Sequence, residues 1–94
     1  MKYSLITTKR FEKNLVKIIK SSNIKNIKNE IYTVIESLQV GEILDLKYRD
    51  HKLQGEYKEY RECHVKPNVL FLYKIDNKEL ILIAVDIGSH SYLF

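Results

Sequence analysis

Residues 69–87 read VLFLYKIDNKELILIAVDI, and this stretch decides the fold because two nearly continuous apolar runs flank one polar break. The runs span residues 69–73 and 80–87, and their length and their β-branched and aromatic side chains are typical of buried strands. Asp76-Asn77 suits a tight hairpin turn between them. With those two residues as the loop, Lys74 faces Glu79 across the strands as an opposite-charge pair that supports this register.

A third strand is predicted just upstream, over residues 56–66. Its side chains alternate between two faces, and the face that carries Glu62 and His64 is polar. Lys66-Pro67-Asn68 then makes the turn into the next strand, since proline fixes its own backbone and disfavours helix before it. The second half of the chain is therefore expected to form an antiparallel meander of three strands.

The first forty residues have a helical period instead. Apolar side chains recur every three or four residues in two separate stripes, which predict two amphipathic helices. The stripes consist of Phe11, Leu15, Ile18 and Ile19, and of Ile27, Ile31, Val34, Ile35 and Leu38. Thr7 or Thr8 can cap the first helix, and the second is expected to end before Gly41. Tyr3 and Leu5 indicate a short strand ahead of both helices.

These elements predict one α+β domain over residues 1–94, in the order β-α-α-β-β-β, with a small antiparallel sheet flanked by two N-terminal helices. The length of 94 residues and the hydrophobic content of 45% fit one globular domain. The sequence contains no apolar run long enough to cross a bilayer and no signal peptide. Its lone cysteine, Cys63, fits a reducing cytosol, so a cytoplasmic location with no membrane partner is expected.

The net charge of +4 is concentrated in the first half of the chain. Residues 1–40 hold eight basic and three acidic side chains, whereas residues 41–94 hold eight and nine. Clustered cations attract polyanions, so the partner is expected to be nucleic acid or an acidic protein chain. A solvated helical face explains the same lysines equally well.

All three histidines, His51, His64 and His90, lie in the second half, with no nucleophile motif, phosphate loop or acidic metal cluster in the sequence. The close paired spacings of a structural zinc site are missing, so no metal and no other cofactor is expected. Histidine suits a metal-free acid and base pair at neutral pH, and such a pair can cleave RNA because the ribose 2′-OH is an internal nucleophile. The side chains available to hold the RNA are Lys47, Arg49, Lys52, Lys66, Tyr92 and Phe94.

Three segments carry a more specific signal: YRDHKLQG at residues 48–55, YRECHVKP at residues 60–67 and GSHSYLF at residues 88–94. They resemble the YafQ branch of the RelE-type toxins, which are small bacterial endoribonucleases of toxin-antitoxin systems that cut mRNA in the ribosomal A site. The resemblance is close over residues 43–94 and looser over the helical first half. It implies the RelE-like, microbial-ribonuclease-like toxin fold, an antiparallel sheet flanked by helices, in agreement with the pattern above.

The resemblance also implies which residues are catalytic. The family's catalytic histidines fall on His51, His64 and His90, and its C-terminal aromatic falls on Phe94. His51 and His90 are the candidates for general base and general acid, without an individual assignment. His64 would orient the phosphate or take part in proton transfer, and Phe94 would pack on or beside the reacting nucleotide.

Two catalytic positions depart from the family pattern. Asn68 stands where the family has an acidic residue, and an amide cannot act as a base. Asp86 stands where the family has an arginine that stabilises the transition state. If Asp86 points into the site, it repels the scissile phosphate by about 4 kcal/mol at 4 Å and an effective dielectric of 20. Lys52, Lys66 or Arg61 would then have to supply the cation.

The first expected function is therefore the toxin of a type II toxin-antitoxin system, a ribosome-dependent mRNA endoribonuclease that inhibits translation, with activity reduced if Asp86 points into the site. The second is a catalytically attenuated homologue that binds the antitoxin and co-represses the operon. The expected partners are a cognate antitoxin, mRNA and the ribosome, with operator DNA contacted only through the antitoxin complex. A plain RNA-binding domain is a weaker third possibility, because the exposed aromatic platform of common RNA-binding modules is missing.

Overall fold

Two helices pack against a mixed sheet in the structure, which is a computed structural model that describes residues 1–89. The helices are α1 (Lys9–Ser21) and α2 (Ile27–Gln39). The strands are β1 (Ser4–Thr7), β2 (His51–Lys52), β3 (Arg61–Lys66), β4 (Val69–Asp76) and β5 (Ile81–Gly88). The predicted α+β class is confirmed. No helix in this part of the chain has the length and apolar character needed to span a membrane.

Both predicted helices are present because their apolar stripes find a sheet to cover. The Thr8 side chain accepts a hydrogen bond from the backbone N–H of Phe11 at 3.0 Å and so caps α1 as predicted. Phe11 packs edge-to-face on Phe71 with ring centroids 5.7 Å apart, and Phe71 stacks on Tyr73 at 5.3 Å. All three rings are buried, and they join the stripes of α1 and α2 to β4 in one core.

The sheet has the strand order β1-β5-β4-β3-β2. The predicted antiparallel meander of β3, β4 and β5 is confirmed. The first strand lies beside the last and runs parallel to it, with Ser4 opposite Ile81, so the sheet is mixed. The first and last strands along the chain are therefore neighbours at one edge.

The predicted register of the β4–β5 hairpin is wrong. Asp76 pairs with Ile81, so the loop contains four residues rather than two, and Lys74 lies opposite Ile83 instead of Glu79. The longer turn forms because the Asp76 carboxylate accepts backbone N–H groups from Lys78 and Glu79, each at 2.9 Å. This local capping competes with a two-residue turn.

The strand predicted over residues 56–66 is also shorter than expected, since β3 begins at Arg61. Gly55–Tyr57 forms a single 3₁₀ turn, and Gly55 has a φ of +68°, a left-handed conformation that glycine adopts without steric cost. In the predicted polar link, His51–Lys52 forms the short edge strand β2, which pairs with β3. This extra strand positions the candidate site.

Candidate functional site

Two imidazoles and one carboxylate meet at the β2–β3 edge of the sheet. The register places His51 directly opposite Glu62, and His64 follows Glu62 by two residues on the same side of β3. Glu62 Oε1 lies 3.6 Å from His51 Nε2 and 3.6 Å from His64 Nε2. The two ring centroids are 6.4 Å apart. The structure thus brings together two of the three predicted catalytic histidines around a carboxylate oxygen.

The carboxylate at the centre of this group is buried. Glu62 is only 3% exposed, and its second oxygen, Oε2, has no hydrogen-bond partner within residues 1–89. Burying a carboxylate oxygen without a partner costs stability, and such costs are concentrated at functional sites. Glu62 is therefore better explained by the chemistry of the site than by packing.

The orientation of the His51 ring is set by the backbone. Its Nδ1 lies 2.6 Å from the carbonyl oxygen of Arg49, and because a carbonyl only accepts, Nδ1 must be the donor. In the neutral ring Nε2 then carries no hydrogen and can take up a proton. His51 is half-exposed, with 49% of its side chain accessible, so a substrate can reach the ring. These properties are those required of a general base.

A cluster of three side chains anchors the segment that carries His51. Arg61 Nη2 lies 3.1 Å from Asp50 Oδ2, and Arg61 Nε donates to the Tyr73 hydroxyl at 3.3 Å. The Tyr73 hydroxyl donates in turn to the other oxygen of Asp50. Burial, reinforced by the hydrogen bond to Asp50, raises the pKa of Tyr73 above its ordinary range. Burial alone would lower the pKa of Arg61, but its bonds to Tyr73 and Asp50 raise it on balance. Asp50 thus ties the short strand β2 to the core.

A cavity of about 430 Å³, the His64 cavity, opens beside His64. It is lined by Glu30, Lys47, Tyr48, Arg49, His64, Val65, Lys66 and Pro67. Two of the predicted substrate-binding residues, Arg49 and Lys66, therefore lie next to His64. Lys66 Nζ also lies 3.6 Å from Glu30 Oε1, which brings a carboxylate from α2 into the cavity wall.

Lys52, a third predicted substrate-binding residue, is not brought together with the histidines. It lies opposite Arg61, and strand alternation directs it away from the face of His51. Lys52 instead lines a second concavity of about 750 Å³ that also contains Arg61 and Lys74. Arg61 is paired with Asp50, so Lys52 and Arg61 both lie apart from Glu62 and its two neighbouring histidines.

Asp86 is buried and its carboxylate is held against α1. It accepts hydrogen bonds from Asn14 Nδ2 and from the Ile87 backbone N–H, each at 2.8 Å, and Arg10 Nε lies 3.0 Å away. Asp86 pairs across the sheet with Leu72, and Leu72 pairs with Glu62. The Asp86 and Glu62 backbones are therefore two strand spacings, roughly 10 Å, apart. The negative charge expected to repel the phosphate is offset by a guanidinium from the first helix.

The remaining predicted residues lie at the end of the chain or in a turn. Asn68 is exposed at the β3–β4 turn. His90, Tyr92 and Phe94 lie outside the described residues. Cys63 is fully buried, and burial raises the pKa of its thiol well above the ordinary value. Within residues 1–89, no group of three or more His, Cys, Asp or Glu side chains is placed to hold a metal ion.

Sequence reasoning missed Glu62, Asp50 and Arg10 as parts of the site. The alternation of β3 already placed Glu62 on the face of His64, so this carboxylate could have been named. Asp50 and Arg10 had no such signal, because their partners come from distant strands: Tyr73 for Asp50 and Asp86 for Arg10.

Comparison with known proteins identifies relatives of this chain. The sequence model of the family described as "Bacterial toxin of type II toxin-antitoxin system, YafQ" matches residues 3–94. The mRNA interferase toxin YafQ of Escherichia coli strain K12 is 43% identical over 47 residues, which are 50% of this chain and 49% of that protein. The match thus spans about half the length of that curated relative.

The fold of the whole chain is similar to those of solved toxin structures. A metal-bound toxin from Helicobacter pylori superposes with a TM-score of 0.86 and 38% identity, covering 98% of this chain and 99% of its own. A chain of the E. coli DinJ-YafQ toxin-antitoxin complex superposes with a TM-score of 0.84 and 25% identity, covering 100% of this chain and 99% of its own.

Proposed function

Because the chain belongs to the YafQ family of toxins from bacterial type II toxin-antitoxin systems, we propose that it is an mRNA interferase that cuts mRNA in the A site of the ribosome. One relative is named an mRNA interferase toxin, which supports an endoribonuclease activity. The observation that carries the proposal is the convergence of His51 and His64 on one oxygen of the buried Glu62. Imidazoles held in this way can move protons at neutral pH without a metal.

The proposed reaction is an internal transesterification of RNA. A general base removes the proton of the ribose 2′-OH, and the 2′-oxygen attacks the adjacent phosphorus. The bond from phosphorus to the 5′-oxygen breaks, and a general acid protonates that leaving oxygen, so the products are a 2′,3′-cyclic phosphate and a 5′-hydroxyl. His51 and His90 are the candidates for base and acid, and His64 orients the phosphate or takes part in proton transfer. Glu62 lies close enough to both neighbouring rings to stabilise positive charge on them.

Cleavage of mRNA on programmed ribosomes tests this proposal. His51→Ala, His64→Ala and Glu62→Gln should each lower single-turnover cleavage by roughly 10² or more, since each removes a proton carrier or its support. Lys78→Ala, an exposed change in the β4–β5 turn, is the matched control and should cleave like the wild type. A 2′-deoxy substitution at the scissile nucleotide should block the reaction. Cleavage that survives this substitution would rule out the internal nucleophile.

The proposed partner is a cognate antitoxin that neutralises the toxin, as the solved DinJ-YafQ complex supports for a relative. The excess of five positive charges in residues 1–40, eight basic minus three acidic, favours an acidic or amphipathic antitoxin segment. The purified pair should co-elute at low ionic strength and separate more readily as salt is added. Failure to co-elute at low ionic strength would count against this partner.

Asp86 favours a second candidate function, an attenuated toxin that binds its antitoxin and contacts operator DNA only through that complex. A carboxylate stands where the family resemblance implies a cation, and it is committed to Asn14 and Arg10. If this function is correct, the wild-type chain strengthens operator binding by the antitoxin but leaves mRNA on programmed ribosomes intact.

A further inference from the structure

We propose that the His64 cavity binds one ribonucleotide next to the scissile phosphate and selects bases that carry an amino group. The inference rests on the proposed RNA-cleaving function, because it assigns a base-recognition role to the cavity beside the proposed catalytic group. It adds a substrate preference, which neither the histidines nor Glu62 can supply. The argument comes from the size, the walls and the charges of the cavity.

The size and position of the cavity fit a single nucleotide. Its volume of about 430 Å³ lies in the range of roughly 300–1,000 Å³ that is usual for small-molecule sites. His64 forms part of its wall and also lies 3.6 Å from Glu62. A nucleotide in the cavity therefore has one of its phosphates within reach of the proposed catalytic group. Val65 and Pro67 supply apolar wall for a base or a ribose.

Three cations surround the cavity. Lys47 and Arg49 come from the 3₁₀ turn Leu46–Tyr48 and the residue that follows it, and Lys66 comes from the end of β3. Lys47 Nζ lies 5.1 Å from the centroid of the Tyr48 ring, so this ammonium is held against a half-buried side chain. Cations from two segments of the chain suit the two phosphates that flank one nucleotide in an RNA strand.

Glu30 indicates that the cavity recognises a base and not only the sugar-phosphate backbone of RNA. A carboxylate in the wall repels phosphate, so it would weaken a site that binds only phosphate. Carboxylates accept hydrogen bonds from exocyclic amino groups such as the cytosine N4 amino group. Adenine and guanine also carry amino groups, whereas uracil presents carbonyl oxygens in their place. Lys66 Nζ lies 3.6 Å from one oxygen of Glu30, and 38% of the Glu30 side chain is exposed, so a ligand in the cavity can contact it.

The test measures binding and does not depend on cleavage. The 3′,5′-bisphosphates of the four ribonucleosides are titrated into the full chain, and the backbone amide NMR signals of His64 and Val65 are followed. The cytidine, adenosine and guanosine compounds should bind about tenfold more tightly than the uridine compound, as expected for one good contact to a base edge. Glu30→Gln should reduce that ratio to below about threefold. Glu36→Gln, an exposed change on the same helix, should leave it intact.

Two outcomes overturn the inference: equal binding of all four compounds by the wild type, or a preference that Glu30→Gln leaves unchanged. The proposed function fails separately, when mRNA on programmed ribosomes is not cleaved. If the chain shows the base preference but does not cleave mRNA, the nucleotide site is supported and the proposed function fails. If the chain cleaves mRNA but shows no base preference, the proposed function is supported and the nucleotide site fails.

Discussion

Asp50→Ala should both destabilise the domain and misplace His51, because Asp50 joins the segment of β2 to the core. The change removes an acceptor from the Tyr73 hydroxyl and from the Arg61 guanidinium. An unsatisfied buried polar group costs about 1–3 kcal/mol, but 37% of the Arg61 side chain is exposed and water can replace part of its bond. The expected loss is therefore about 2–3 kcal/mol. For a domain of this size, that loss lowers the midpoint of thermal unfolding by roughly 10–20 °C.

The catalytic effect should exceed what unfolding explains. His51 is held by a two-residue strand and by one bond to the Arg49 carbonyl, so releasing Asp50 frees the ring. A displacement of about 1 Å lowers the rate by roughly 10². The assay is single-turnover cleavage at 15 °C, where the variant is still folded. The maximal cleavage rate is expected to fall by a larger factor than the half-saturating concentration of the toxin rises.

Tyr73→Phe provides the matched comparison. It removes the same hydroxyl bond but leaves Asp50 paired with Arg61, so cleavage should remain within a few-fold of the wild type. In denaturant unfolding, the double variant should show a coupling energy of about 0.5–3 kcal/mol between positions 50 and 73. Strictly additive losses, or full cleavage by folded Asp50→Ala, would refute the anchoring role.

Three further predictions concern buried groups. Glu62→Leu should abolish cleavage yet leave the free energy of unfolding unchanged or raise it, since it removes a buried oxygen that has no hydrogen-bond partner among residues 1–89; a large fall in denaturant unfolding would contradict this. Folding raises the pKa of both Cys63 and Tyr73 above their ordinary pKa values of 9.0 and 10.0. Their contribution to stability is therefore complete below those ordinary pKa values and is lost as the pH rises through the pKa values of the folded state. Denaturant unfolding should show a fall of about 1.4 kcal/mol per pH unit between pH 9 and 10 and about twice that slope above pH 10, and Cys63→Ala should flatten the slope between pH 9 and 10. Asp86→Arg should destabilise the chain by about 2–3 kcal/mol, mainly because Asn14 and the Ile87 N–H lose their bonds to the buried carboxylate. The added change Arg10→Asp should restore only part of the loss, since 69% of the Arg10 side chain is exposed and water screens the pair; no recovery in thermal unfolding would deny that the two positions interact directly.

The helices and the three long strands could be predicted because their signals are local. The stripe of Ile27, Ile31 and Val34 defines α2 by its period, and the apolar run of β5 defines a buried strand. The β4–β5 register could not be predicted, because the turn is decided by side-chain bonds of Asp76 that compete with strand pairing.

The site was only half predictable for a similar reason. The family resemblance indicated His51 and His64, but their meeting point depends on the pairing of two-residue β2 with β3, which has no periodic signal of its own. The link between Asn14 and Asp86 joins residues 72 positions apart, and neither residue indicates the other in the sequence. Contacts between distant segments are therefore where the structure adds most to the sequence.

The parallel pairing of β1 with β5 has a consequence for biosynthesis. Ser4 lies opposite Ile81, so a strand made among the first residues finds its neighbour only when most of the chain has been translated. At about 5–20 residues per second, those 77 positions separate the two strands by roughly 4–15 s. During that interval α1 has no β5 to cover, and its apolar stripe is open to chaperones and proteases. A nascent chain that stalls before residue 81 is thus left without its finished sheet and is a target for degradation.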